Sequence, residues 1–121
     1  MHNYKEMKIW QKARTLVKVV YEISKKLPKE ELYGLTSQIR RAVVSIPANI
    51  AEGAGRGTDR DFHHFLDISR GSLFELDTLL ILTNDLDYIT ESDLNPAFES
   101  ISEIIKMMIS FQNRLGACRT L

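Results

Sequence analysis

The sequence predicts an all-α protein, an antiparallel up-down-up-down four-helix bundle. Three observations predict it: apolar residues recur at steps of three and four in four separate stretches, glycine or proline occupies the first two of the gaps between them, and no stretch alternates as a strand does. A chain of 121 residues is long enough to bury a core without disulfides. We therefore expect one domain, 1–121, with connections near residues 28–34, 54–58 and 86–92.

The first helix is predicted from Tyr4 to Leu27, because the residue before Pro28 avoids the helical conformation. Its apolar face follows helical spacing, and five lysines lie largely outside that face. These lysines could contact phosphates, or they could simply be solvated. The apolar face consists of Ile9, Trp10, Ala13, Leu16, Val17, Val20, Ile23 and Leu27.

The second helix is predicted from about Gly34 to Gly53, and it contains Pro47. A proline in a helix interior removes a hydrogen bond and costs about 3 kcal/mol. The apolar stripe continues from Val43 to Ile50 across this position. We therefore expect a bent but continuous helix, in which packing compensates for the lost bond.

Asn49 and Glu52 place two polar side chains on this largely apolar helix. They predict either a functional polar site at the centre of the bundle or hydrogen bonds to a neighbouring helix. In the second interpretation, Ser72, Glu75 and Arg41 are the expected partners, because buried polar groups need hydrogen bonds.

The third helix is predicted from Asp59 to about Asn84. Thr58, followed three residues later by Asp61, is typical of a capped helix start. Gly71 lies in the middle of this helix, where glycine costs about 1 kcal/mol relative to alanine. We therefore expect another backbone, that of helix two, to approach closely at Gly71.

The fourth helix is predicted to begin with Thr90 or Asp93 as its cap and to end at Gly116. Helices three and four carry more apolar residues than one core-facing side requires. Such a surplus predicts association with further copies of the chain. The candidate contacts between subunits are Leu79, Ile81, Leu82, Met107 and Ile109.

The charges are divided unevenly, although the net charge is zero. Residues 1–57 contain eleven Lys or Arg and five Asp or Glu, and residues 58–121 contain five and eleven. The two parts therefore carry +6 and −6, which indicates either basic and acidic helices packed side by side or a basic binding face. Exposed aromatic residues are not interleaved with the cations in sequence. The candidate nucleic-acid contacts are Lys5, Lys8, Lys12, Lys18, Arg40, Arg41 and Arg56.

The sequence gives no support for an enzyme, a cofactor or a metal site. Asp61 and His64 have the spacing of half a di-metal motif, and the remaining ligands are missing. Cys118 has no second cysteine to pair with. No stretch resembles a signal peptide or a membrane span, so we expect a cytoplasmic protein without a membrane partner.

Several motifs give the chain a family resemblance that covers nearly its whole length. They are Gln38-Ile39-Arg40-Arg41, Ser45-Ile46-Pro47, Asn49-Ile50-Ala51-Glu52-Gly53 and Gly71-Ser72-Leu73-Phe74-Glu75-Leu76. With these motifs the chain resembles the bacterial four-helix-bundle family tied to 23S rRNA intervening sequences. The resemblance implies a pentameric ring and structural roles for Pro47, Asn49, Glu52, Gly53, Gly71, Ser72 and Glu75.

Two functional hypotheses follow. The first is a non-enzymatic, homo-oligomeric scaffold or adaptor that acts through contacts with itself or with a protein from a neighbouring gene. The alternative is a module that binds RNA or DNA through the basic first half of the chain, since phosphate contacts by Lys and Arg dominate such binding. A diverged relative, the accessory variability protein of diversity-generating retroelements, binds nucleic acid and a reverse transcriptase.

Overall fold

Four α-helices account for most of the chain, as the sequence predicts. The computed structural model describes the backbone of residues 2–119 and the side chains of residues 2–115. The helices are α1 (Lys8–Ser24), α2 (Leu35–Ala54), α3 (Asp59–Asp85) and α4 (Glu91–Arg119). Short 3₁₀ helices span Tyr4–Glu6 and Lys29–Glu31, and the described backbone contains no strand.

Each helix packs against two others. The neighbouring pairs are α1 with α2, α2 with α3, α3 with α4, and α4 with α1. In the described part of the chain, no Cα atoms of α1 and α3, or of α2 and α4, approach within 8 Å. The α1/α2 side and the α3/α4 side therefore lie on opposite sides of the bundle.

Helix α1 is shorter at both ends than the prediction from Tyr4 to Leu27. Met7 has extended backbone angles (φ −78°, ψ 130°), which separate the 3₁₀ turn from α1. At the C-terminal end of α1 each N–H bonds the carbonyl three residues earlier instead of four, as in Leu27 N–H to Ser24 O at 3.1 Å. Pro28 lacks the N–H that a further α-helical bond would need.

The starts of α3 and α4 have threonine caps. Thr58 Oγ1 accepts from the backbone N–H of Asp61 at 3.1 Å, as predicted for α3. Of the two candidates for α4, Thr90 is the cap, because its Oγ1 accepts from Asp93 N–H at 3.2 Å. The predicted stop at Gly116 is wrong, since α4 continues to Arg119.

Pro47 lies inside the continuous helix α2, which confirms the predicted continuity. Val43, Ile46 and Ile50 on either side of it are fully buried. In addition, Ser69 Oγ of α3 donates to the Ile46 carbonyl at 2.9 Å. Apolar packing and a hydrogen bond from Ser69 thus hold the Pro47 segment of α2 against α3.

The close approach of α2 and α3 occurs at Gly53, and the prediction for Gly71 is wrong. A Cβ atom on Gly53 would lie 2.8 Å from Phe62 Cδ1 and 2.8 Å from Phe65 Cβ. Gly71 is exposed, and an added Cβ would meet no atom within 4 Å. Gly53 therefore permits the contact between the end of α2 and the start of α3.

Tyr88, in the α3–α4 connection, makes a hydrogen bond that shifts its acidity. Its hydroxyl donates to Glu31 Oε2 at 3.0 Å. This hydrogen bond, together with desolvation and the charges of Glu31 and Glu30, raises the pKa of Tyr88 above its ordinary value of 10.0. The folded chain thus retains the phenolic proton at pH values where the unfolded chain loses it.

We expect the contribution of Tyr88 to stability to be complete below pH 10 and to fall as pH rises through the raised pKa. Urea unfolding between about pH 9 and 11.5 measures this fall. The fall should be smaller in Tyr88→Phe, which has no phenolic proton. Equal slopes in the parent and the variant would contradict the prediction.

Candidate functional site

A polar cluster at the α2/α3 interface surrounds Pro47. The hydroxyls of Ser45 and Ser72 lie 2.9 Å apart and share a hydrogen bond between the two helices. Asn49 Nδ2 donates to the carbonyl and hydroxyl of Ser45 at 2.8 and 2.9 Å. Asn49 thus bonds within its own helix and reaches the predicted partner Ser72 only through Ser45. The cluster joins α2 to α3, which is a structural role.

Glu52 and Glu75 do not belong to this cluster. Both are exposed. The carboxylate of Glu52 pairs with Arg56 Nη2 one turn further along α2, at 3.2 Å. The hypothesis of a polar site at the bundle centre containing Glu52 is therefore wrong.

Gln112 forms a second polar junction, between α3 and α4, that the sequence analysis did not identify. It is 2% exposed. Its Nε2 donates to Asp67 Oδ1 at 2.8 Å and to the His63 carbonyl at 3.3 Å, and its Oε1 accepts from Arg70 Nη1 at 2.8 Å. The sequence signal for this junction was a glutamine within the apolar stripe of helix four.

The seven candidate nucleic-acid contacts fall into two groups. Lys12 pairs with Glu103, Arg56 pairs with Glu52, and Arg40 Nε donates to Ser24 Oγ at 3.0 Å. The other four are exposed, and none has a carboxylate oxygen within 4 Å among the described residues. These four are Lys5, Lys8, Lys18 and Arg41.

Aromatic rings alternate with cations along the α1/α2 side, which sequence order alone did not show. The Arg14 guanidinium lies 5.5 Å from the ring centre of Trp10. The Arg40 guanidinium lies 4.8 Å from the ring centre of Tyr21. Tyr4 packs edge-on against Trp10 with 5.1 Å between ring centres. Of these contacts, only the Arg40 and Tyr21 pair joins α2 to α1, whereas Trp10 meets Arg14 and Tyr4 within the first part of the chain.

The residues predicted to contact other subunits differ in how exposed they are. Leu79 is 7% exposed and belongs to the core of its own chain, so the expectation that it contacts another subunit is wrong. Ile81, Leu82 and Ile109 are exposed. Met107 is half-buried and lines a groove of about 600 Å³ between the start of α1 and α4.

We call the surface strip where α3 and α4 meet, with Phe74, Ile81, Ile105 and Ile109, the α3/α4 seam. Its apolar surface extends beyond the predicted residues. Phe74 is 53% exposed, the highest value among the exposed apolar side chains of α3. Phe98 and Ile105 of α4 are half-buried against the core. The sequence signal for Phe74 was its position outside the inner face of helix three.

The remaining observations concern metal ligands and membrane-crossing helices. Within the described residues, no three His, Cys, Asp or Glu side chains converge as a metal site would require. His63 Nδ1 lies 3.7 Å from Asp67 Oδ2, one turn along α3. No helix in the described part of the chain combines the length and hydropathy needed to cross a membrane.

Comparison with known proteins gives the family. A solved structure from Bacteroides thetaiotaomicron, described as a protein with unknown function from the S23 ribosomal protein family, matches with a TM-score of 0.79 and 26% identity. The match covers 86% of this chain and 97% of that chain. None of the curated proteins matches. The sequence model of the 23S rRNA-intervening sequence protein family matches residues 5–110, and the chain therefore belongs to that family.

Proposed function

We propose that the protein is a non-enzymatic, homo-oligomeric scaffold whose copies associate through the seam between α3 and α4. The observation that carries this proposal is the apolar surface along that seam. Phe74, Ile81 and Ile109 are 53%, 47% and 40% exposed. Exposed apolar patches of this kind usually mark contact surfaces.

The hydrogen bond between Arg70 and Gln112 supports placing Phe74, Ile81, Ile105 and Ile109 in one surface strip between α3 and α4. It places one side of α3 against one side of α4. At 100° per residue, Phe74 and Ile81 lie within about 40° of Arg70 around α3. By the same geometry, Ile105 and Ile109 lie within about 60° of Gln112 around α4.

Charge complementarity supports a second copy of the chain as the occupant of the seam. The residues that build α3 and α4 carry the excess of acidic groups, and those that build α1 and α2 carry the excess of cations. The basic α1/α2 side of one copy, which includes Trp10 and Tyr21, is therefore matched to the acidic and apolar α3/α4 side of the next. Contacts between different surfaces close into rings or continue as filaments. A two-fold dimer through the α3/α4 side would instead place acidic surfaces against each other.

The antiparallel order of the helices is part of the proposal, and side-chain pairs support it. Gly53 contacts Phe62, whereas Ser45 bonds Ser72, so α2 and α3 run in opposite directions through these pairs. Lys12 pairs with Glu103, whereas Lys26 pairs with Asp93, with the same consequence for α1 and α4. The ring of five subunits is the number that the family resemblance implies.

Light scattering coupled to gel filtration tests the association. We expect a particle of five chains of 13.9 kDa at micromolar concentration. It should persist in 1 M salt, because the apolar seam is not screened by ions. A mass of one chain would refute the scaffold, and a mass of two would refute the ring.

Nucleic-acid binding is a second candidate, supported by the four cations without a carboxylate partner. Replacing Lys8, Lys18 and Arg41 with glutamine should weaken binding to duplex RNA or DNA. It should also lower the slope of log K against log salt by about 2 to 3, since each phosphate contact contributes about 0.9. Lys12 is left out of this variant because it pairs with Glu103.

A matched control removes three cations that already have carboxylate partners. These are Lys12, Lys26 and Arg56, paired with Glu103, Asp93 and Glu52. Gel-shift titrations at several salt concentrations compare the two triple variants. Equal losses in both would show that overall charge, rather than the unpaired cations, governs binding.

A further inference from the structure

A small cavity lies where α1 ends and α2 begins. Its volume is about 190 Å³. Its polar lining comes from Ser24, Thr36 and Arg40 together with the exposed lysines Lys25 and Lys29. Among the described residues, no acidic side chain lines it.

Thr36 provides the clearest sign of a ligand. It is 5% exposed, and its hydroxyl has no hydrogen-bond partner among the described residues. Every fully enclosed side-chain N or O atom in the described part of the chain has a partner. The Thr36 hydroxyl is therefore reached by solvent, and Thr36 is one of the residues that line the cavity. A hydroxyl with no protein partner is available to hydrogen-bond a ligand there.

Arg40 adds a positive charge without a counter-ion. It is half-buried, and no carboxylate of the described residues lies within 4 Å of its guanidinium. Its Nε donates to Ser24 Oγ at 3.0 Å, and the guanidinium stacks on Tyr21. These contacts fix the planar group and leave its two terminal nitrogens available. A guanidinium held this way matches the oxygens of a phosphate.

The first turn of α2 contributes backbone donors. The N–H groups of Thr36 and Ser37 have no partner among the described residues. The carboxylate of Glu31 already lies at this helix end, where it accepts from Leu35 N–H at 3.2 Å and from the Tyr88 hydroxyl at 3.0 Å. Its negative charge opposes a second anion, so the phosphate depends mainly on the Arg40 guanidinium. Free N–H groups at the positive end of a helix dipole favour an anion.

We propose that this cavity binds a phosphate group, which Thr36, Arg40 and the first turn of α2 hold together. Its volume is well below the roughly 300 Å³ at which pockets for whole small molecules begin. It therefore suits a single phosphate, either free orthophosphate or the terminal phosphate of a nucleic-acid strand. This site lies away from the α3/α4 seam, on the α1/α2 side that the proposed ring places against the next copy, because Arg40 stacks on Tyr21.

Calorimetric titration of the full-length protein with sodium phosphate tests the proposal, with sodium chloride at matched ionic strength as the reference. We expect saturable binding of one phosphate per chain. A second titration compares a short RNA carrying a 5′-phosphate with the same RNA carrying a 5′-hydroxyl. Tighter binding of the phosphorylated strand identifies a terminal phosphate as the ligand, and equal binding identifies free phosphate. No binding of orthophosphate would overturn the proposal.

Variants tie the binding to this cavity. Thr36→Val keeps the side-chain shape and removes the hydroxyl, and we expect it to weaken phosphate binding at least about tenfold. Arg40→Gln should have a larger effect and serves as a second variant should Thr36→Val fail to fold. Lys26→Gln removes a cation at the same end of the bundle that pairs with Asp93 and does not line the cavity. It should bind phosphate like the parent, and a loss equal to that in Arg40→Gln would overturn the proposal.

Discussion

Replacing Gly53 with valine is expected to lower the free energy of unfolding by about 3 kcal/mol, the upper end of the usual cost of overpacking. A Cβ at this position would lie 2.8 Å from Phe65 Cβ and 3.3 Å from the Phe62 carbonyl oxygen. Neither atom is the far end of a flexible side chain, so α3 itself would have to move away from α2. Gly53→Ala should be less harmful, because alanine adds one carbon and favours the helix by about 1 kcal/mol.

Gly71→Ala is the matched control, since it makes the same change inside the neighbouring helix. No atom lies within 4 Å of the added Cβ, and the site is exposed. We expect this variant to be more stable than the parent by about 0.5 to 1 kcal/mol. Urea unfolding of all three variants gives the comparison. Similar stabilities of Gly53→Val and the parent would show that the helices separate there at little cost.

The helices themselves could be predicted because their signals are local. The spacing of Val43, Ile46 and Ile50 identified α2 as continuous across Pro47, and these residues are buried. Thr58 identified the start of α3 through its capping pattern, and Thr90 was one of two caps predicted for α4. Periodicity and caps each depend on residues within one or two turns of the same helix.

The rotation and register of each helix against its neighbours could not be predicted in the same way. Among four consecutive apolar residues, Leu79 and Leu80 face inward, whereas Ile81 and Leu82 face outward. The sequence could not make this choice, because a run of four covers most of the helix circumference. The rotation of α3 also explains the error at Gly71. This glycine is exposed, and the close contact between the helices lies at Gly53.

The polar sites were the hardest to predict because their members come from different helices. Ser24 of α1 meets Arg40 of α2, and Gln112 of α4 meets Arg70 of α3. No spacing rule connects residues that are 16 or 42 positions apart. The sequence could only mark each polar residue as one that needs a partner.

Changing both Phe74 and Ile81 to lysine is expected to separate the proposed oligomer into single chains. Each side chain is about half exposed in the single chain, so its remaining apolar surface would contribute about 0.8 to 1.5 kcal/mol against a neighbouring copy. Their loss would weaken each contact by about 10 to 10²-fold. The new lysines would also face the basic α1/α2 side of the next copy and repel it. Both positions are about half exposed, so the fold of the single chain should be kept.

Light scattering at micromolar concentration measures the mass of this double variant, and circular dichroism checks that it remains helical. The matched control changes Tyr33 and Ile68 to lysine. Both are exposed apolar side chains, and Ile68 lies about 160° around α3 from Arg70, away from the α3/α4 seam. The control should keep the mass of the parent. If the Phe74 and Ile81 variant also keeps that mass, the subunits associate through a surface other than the α3/α4 seam.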